Sequence, residues 1–146
     1  MNKKTIITTG IFVVLLSAIA MAGPANMKQG LWKITTSMSM PGMPFQMRPT
    51  TITTCFDKKN ITNPDKAMPT TPQQNKDCKM TDRKISGSHV TWKMVCTGKH
   101  PATSTGDFTY HNGTSYNGTM TTVFHEHGTT RKVIDRYTGE RVGDCK

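Results

Sequence analysis

The sequence predicts an all-β domain, an antiparallel meander of about seven or eight strands closing into a small barrel or sandwich and stapled by two disulfides. Three observations carry that prediction. Past residue 22 only one leucine remains, Leu31, while threonine occurs 22 times, a composition that suits strands over helices. Apolar residues recur at every second position in several stretches, and no stretch sustains a 3.6-residue period. Four cysteines, Cys55, Cys78, Cys96 and Cys145, make an even count in a short chain.

Residues 1–22 read as a cleaved secretory signal, with Lys3 and Lys4 ahead of an apolar run and Ala20-Met21-Ala22 as a small-x-small cleavage site. An uncleaved anchor is the alternative, but the strongly apolar stretch from Ile11 to Ala22 is 12 residues, against roughly 20 needed to cross a bilayer. No cysteine follows the cleavage site to take a lipid, and no second apolar run follows to span a membrane. Residues 23–146 then form one domain of 124 residues, of which 36 are apolar. A core that thin needs help, and each disulfide could supply roughly 3–4 kcal/mol by restricting the unfolded chain. Disulfides also place the domain in an oxidising compartment, periplasmic or secreted.

Trp32, Ile34, Thr36, Met38 and Met40 alternate with polar residues and predict a half-buried first strand, ended by Pro41-Gly42-Met43-Pro44. Thr50 to Phe56 is a β-branched second strand. A proline-rich loop follows at about 57–77, with Pro64, Pro69 and Pro72 among polar residues. Cys78 to Ile85 and His89 to Thr97 read as a hairpin about Ser86-Gly87-Ser88. An odd-numbered loop there sets Cys78 and Met80 on the face of Val90, Trp92, Met94 and Cys96, and is preferred over a two-residue turn, which sets them on opposite faces. With Gly87 at the centre, Cys78 stands across from Cys96, leaving Cys55 for Cys145; Cys55 with Cys78 and Cys96 with Cys145 stays open. Ser104 to Tyr110 and Thr114 to Phe124 form the next hairpin about His111-Asn112-Gly113, placing Phe108, Tyr110, Tyr116 and Met120 on one face. Thr129 to Tyr137 is a seventh strand, and Glu140 to Cys145 a tail that holds at most a short eighth.

The densest chemical feature is Met38, Met40, Met43 and Met47 around the first turn. Thioether sulfur is a soft ligand, so such a cluster outside the cytoplasm can hold Cu(I), with His125 and His127 as further candidate ligands. The competing reading makes methionine a flexible substitute for the missing leucine, and makes the histidines polar turn residues. No catalytic motif is present: Gly113 to Gly118 lacks the G-x-S-x-G spacing, and bridged cysteines leave no thiolate. Past residue 22 the net charge is +8, with its lysines and arginines scattered from Lys28 to Lys146. That pattern does not form a nucleic-acid patch. The expected function is therefore a non-enzymatic binding or structural domain, its partner a small molecule or an envelope protein. A Cu(I)-binding protein and an envelope enzyme with an unrecognised site are the alternatives.

Gly30-Leu31-Trp32-Lys33, Met40-Pro41-Gly42-Met43-Pro44, Cys55, Asp77-Cys78, Val90 to Cys96 and Gly139-Glu140-Arg141-Val142-Gly143-Asp144-Cys145 resemble, in that order, the uncharacterised exported bacterial proteins of domain-of-unknown-function family 3617. The resemblance implies a periplasmic or secreted bacterial location and one domain per chain, and transfers no functional residue. Gly30-Leu31-Trp32 with Arg141 also resembles, over a much shorter motif, the lipocalins and related small barrels, where a late basic residue covers the first-strand tryptophan.

Overall fold

The computed structural model describes residues 27–43, 47–62, 77–126 and 128–146. The proposed signal and most of the proline-rich loop lie outside these residues. Seven strands form one antiparallel sheet: β1 (Gly30–Ser39), β2 (Thr50–Phe56), β3 (Cys78–Ser86), β4 (His89–Cys96), β5 (Ala102–His111), β6 (Ser115–Glu126) and β7 (Thr129–Gly143). A short helix, α1 (Lys58–Thr62), follows β2. Asp57 starts it as an N-cap, its Oδ1 accepting from the Asn60 N–H at 2.8 Å.

The strand order is β2-β1-β7-β6-β5-β4-β3. Each chain neighbour is paired with the next except β2 with β3, and β7 returns to pair with β1. This is the order of an up-and-down barrel left open along one seam, at the point where the chain leaves the sheet between Phe56 and Cys78.

Register sorts the side chains by face. Trp32, Ile34, Trp92, Met94, Phe108 and Tyr116, the residues that alternation turns inward, are all buried, and Trp32 is fully so. Threonines and charged residues occupy much of the other face. The ring of Trp32 meets Phe56 edge-on at 6.2 Å and Tyr116 at 5.8 Å. Phe108 meets Tyr137 at 5.8 Å, and Tyr110 meets Tyr116 at 5.5 Å.

Three glycines make this aromatic stack possible. Trp92 is paired with Gly106 on β5, Phe108 with Gly118 on β6, and Tyr116 with Gly139 on β7. A Cβ on any of these glycines would overlap the ring opposite it. Each ring therefore lies over bare backbone on the next strand, and two of them reach rings one strand further: Tyr116 meets Trp32 across β7, and Phe108 meets Tyr137 across β6. Aromatic cover of strand glycines supports a curled sheet, and offsets what glycine loses in strand propensity.

Three local expectations are corrected. The β3–β4 turn has two residues, Gly87 and Ser88, with Ser86 paired to His89 and Gly87 at φ 58°. A glycine first in a two-residue turn supplies the twist a tight hairpin requires. Parity is restored by a bulge at Thr81, between Met80–Met94 and Asp82–Lys93, which brings Cys78 opposite Cys96. It also turns Arg83 and Ile85 inward, opposite Trp92 and Val90. The next turn is shifted by one residue: Asn112 and Gly113, at φ 51° and 72°, form its tip, and the Thr114 N–H donates to the His111 carbonyl at 3.1 Å. Finally, the tail is the second half of β7, which runs unbroken through Gly139. Disulfides join Cys78 to Cys96 within the β3–β4 hairpin and Cys55 on β2 to Cys145 after β7, with Cα atoms 3.9 and 5.6 Å apart.

Candidate functional site

The apolar face does not stop at the buried core. It continues onto both edge strands, where Ile52 on β2 is paired with buried Ile34, and Ile85 on β3 with buried Val90. Directly paired residues point to the same side of a sheet. Yet Ile52 is 56% exposed and Ile85 43% exposed, because among the described residues neither strand has a neighbour beyond it. The open seam thus has an isoleucine on each rim.

The two rims differ in how they are guarded. β3 carries Lys79, Asp82, Arg83 and Lys84 and is bulged at Thr81, two devices that discourage pairing with another chain. β2, Thr-Thr-Ile-Thr-Thr-Cys-Phe, has no charged residue and an unbroken register with β1. Among the described residues no strand pairs with its outer edge.

One row on the inner face is chemically distinct. Met38 on β1, Asp135 on β7 and Met120 on β6 are paired in succession. Asp135 is 5% exposed, its Oδ1 is buried without a hydrogen-bond partner, and burial raises its pKa above the usual carboxylate range. Further along the same row Trp92 lies opposite Gly106, its Nε1 also buried without a partner. By contrast, the buried hydroxyls of Ser104 and Thr122 in the adjacent row bond one another at 2.9 Å.

At the end of the sheet formed by the β5–β6 turn, an open hollow of about 660 Å³ is lined by Lys28, Ser88, Tyr110, His111, Asn112 and Gly113. Its histidine is engaged, with Nε2 2.6 Å from Asn117 Oδ1. Tyr110 and Tyr116 are held un-ionised above the ordinary phenol pKa of 10 by burial, and burial followed by the charge of Asp135 pushes Tyr137 up to about 12. On the convex face His89 Nε2 stands 2.9 Å from Asp107 Oδ1, with both side chains substantially exposed. Arg141 is paired in register with Trp32 and donates from Nε to the Gln29 carbonyl at 2.8 Å, so a late basic residue does stand beside the first-strand tryptophan.

Of the methionines singled out in the sequence, Met38 faces Asp135, whereas Met40 lies just past the end of β1 and Met43 and Met47 are exposed. The Met43 N–H donates to the Met40 carbonyl at 3.1 Å, closing the turn. His125, paired with Thr130, points to the outer face, opposite to Met38, and His127 lies outside the described residues. The structure therefore joins Met38 to Met120 and Asp135, two residues that sequence reasoning did not connect with it. A polar residue in an apolar alternation, Val133-x-Asp135-x-Tyr137, was the available signal. All four cysteines are bridged, and among the described residues no three His, Cys, Asp or Glu side chains gather as a metal site.

The family model described as a protein of unknown function, DUF3617, matches residues 27–145. No curated protein and no solved structure matches the chain.

Proposed function

The chain belongs to DUF3617, a family of unknown function, and from that premise we propose that it is a non-enzymatic binding domain of the bacterial cell envelope, taking its small-molecule or protein partner at the open seam. Two disulfides support placing it in the periplasm or outside the cell, and among the described residues no helix is long and apolar enough to cross a membrane. The observation that carries the reading is the continuation of the Trp32 face onto exposed Ile52 and Ile85. Covering the exposed half of each isoleucine is worth about 1 kcal/mol, and the uncharged β2 edge can add backbone hydrogen bonds.

The test is native mass spectrometry of the protein recovered from a periplasmic extract, comparing wild type with Ile52→Lys and with Val142→Lys, whose valine is exposed outside the seam. A retained ligand or partner that Ile52→Lys loses and Val142→Lys keeps supports the proposal. A bare wild-type monomer, or equal loss in both variants, overturns it.

A further inference from the structure

We propose that Met38, Asp135 and Met120 form a binding site for a soft monovalent metal ion, Cu(I), on the inner face of the sheet. The three residues are consecutive in one cross-strand row, Met38 to Asp135 to Met120 across β1, β7 and β6. A short aspartate sits between two long, unbranched thioethers. The fold already shows that side chains of β1 and β6 meet above β7, since Trp32 and Tyr116 touch there at 5.8 Å over Gly139. In the Met38 row the pairing sets one thioether on either side of a single carboxyl.

The chemistry selects the ion. Thioethers are soft ligands that favour Cu(I) over hard divalent cations. A single positive charge on a single carboxylate leaves a neutral site, which an apolar interior tolerates; a divalent ion leaves a net charge buried there. The Asp135 Oδ1 is buried with no hydrogen-bond partner, and bound metal satisfies it. Access is also built in. β2 begins at Thr50, opposite Thr36, so Met38 lies beyond the end of the β1–β2 pairing, and among the described residues its side chain is half-buried where those of Met120 and Asp135 are buried. Metal enters past Met38 and is held at Met120 and Asp135. This ligand set replaces the surface turn of Met43 and Met47, whose exposed side chains lie off the row.

The test is competition of the full, disulfide-intact chain with a chromophoric Cu(I) chelator, using ascorbate as reductant so that no cysteine thiol is released to bind copper. Wild type is expected to take one Cu(I). Met38→Leu, Met120→Leu and Asp135→Asn should each weaken it on the order of ten-fold or more, as loss of ligand-shell groups does, while Met43→Leu with Met47→Leu leaves it unchanged. Near-ultraviolet circular dichroism checks that each variant keeps its tryptophan packing. X-ray absorption at the copper edge gives an independent reading: two sulfur neighbours and one light-atom neighbour are expected in wild type, and one sulfur fewer in Met38→Leu. No binding by wild type, or loss confined to the Met43 and Met47 variant, overturns the proposal. It stands apart from the seam, because Ile52→Lys leaves the copper ligands untouched.

Discussion

Replacing Gly139 with alanine puts a methyl group where the Tyr116 ring lies. Tyr116 cannot yield without loosening its contacts with Trp32, Phe108 and Tyr110, at ring distances of 5.8, 6.2 and 5.5 Å. Overpacking of this kind costs about 1–3 kcal/mol. Alanine also narrows the unfolded ensemble, which returns about 0.4–1 kcal/mol. The net expectation is a loss of about 1.3 kcal/mol, or roughly 4–7 °C in Tm for a domain of this size. Gly143 is the matched control: it lies on the same strand, its added Cβ meets nothing within 4 Å, and its backbone is not in the left-handed region. Gly143→Ala should be neutral or slightly stabilising. Urea unfolding of both variants with disulfides intact measures the difference, and a double mutant carrying Tyr116→Leu and Gly139→Ala should lose less than the sum of the two single losses, since the two residues touch. Equal stability of the two alanine variants would refute the role given to the glycines.

Four further outcomes follow from the same geometry. All three tyrosines have raised pKa values, Tyr137 to about 12, so the folded state is intact below pH 10 and loses stability as the pH climbs past the free phenol value; absorbance at 295 nm should show phenolate appearing with unfolding and not before it. Removing the Cys55–Cys145 bridge, which spans 90 residues, should cost about 4.5 kcal/mol, against about 3 kcal/mol for Cys78–Cys96, which spans 18, as urea midpoints would show. Deleting Thr81 should straighten β3 while leaving Cys78 opposite Cys96, because the bulge absorbs one residue on that strand; peptide mapping of the unreduced protein should find both native bridges. Ile52→Lys, at a half-exposed edge position, should change stability by no more than about 0.5 kcal/mol, so that its effect on binding is read separately.

The inward faces of β1, β4, β5 and β6 were legible because alternation is a local property: Trp32 and Ile34, Val90 to Met94, and Phe108 with Tyr116 needed only their own segments. What crosses between segments was not. Gly139 reads locally as a turn and in the sheet is the seat of the Tyr116 ring, so the final strand looked shorter than it is. The two-residue β3–β4 turn is hidden from the sequence because Thr81, an ordinary strand former, conceals the bulge that compensates for it. Of the candidate metal site, Met38 stood out by its neighbours in sequence, but its partners come from β6 and β7. Only the pairing of the first strand with the last makes them adjacent, and no local pattern encodes that pairing.

Amide hydrogen exchange followed by NMR on the disulfide-intact protein tests the open seam most directly. The account predicts the strongest protection in β7 and β6, paired on both sides, and rapid exchange of alternate amides along Thr50–Phe56, with no cross-strand contacts from β2 to β3. Uniform protection along β2, together with contacts between Ile52 and β3, would show a closed barrel and contradict the exposed binding face on which the proposed function rests.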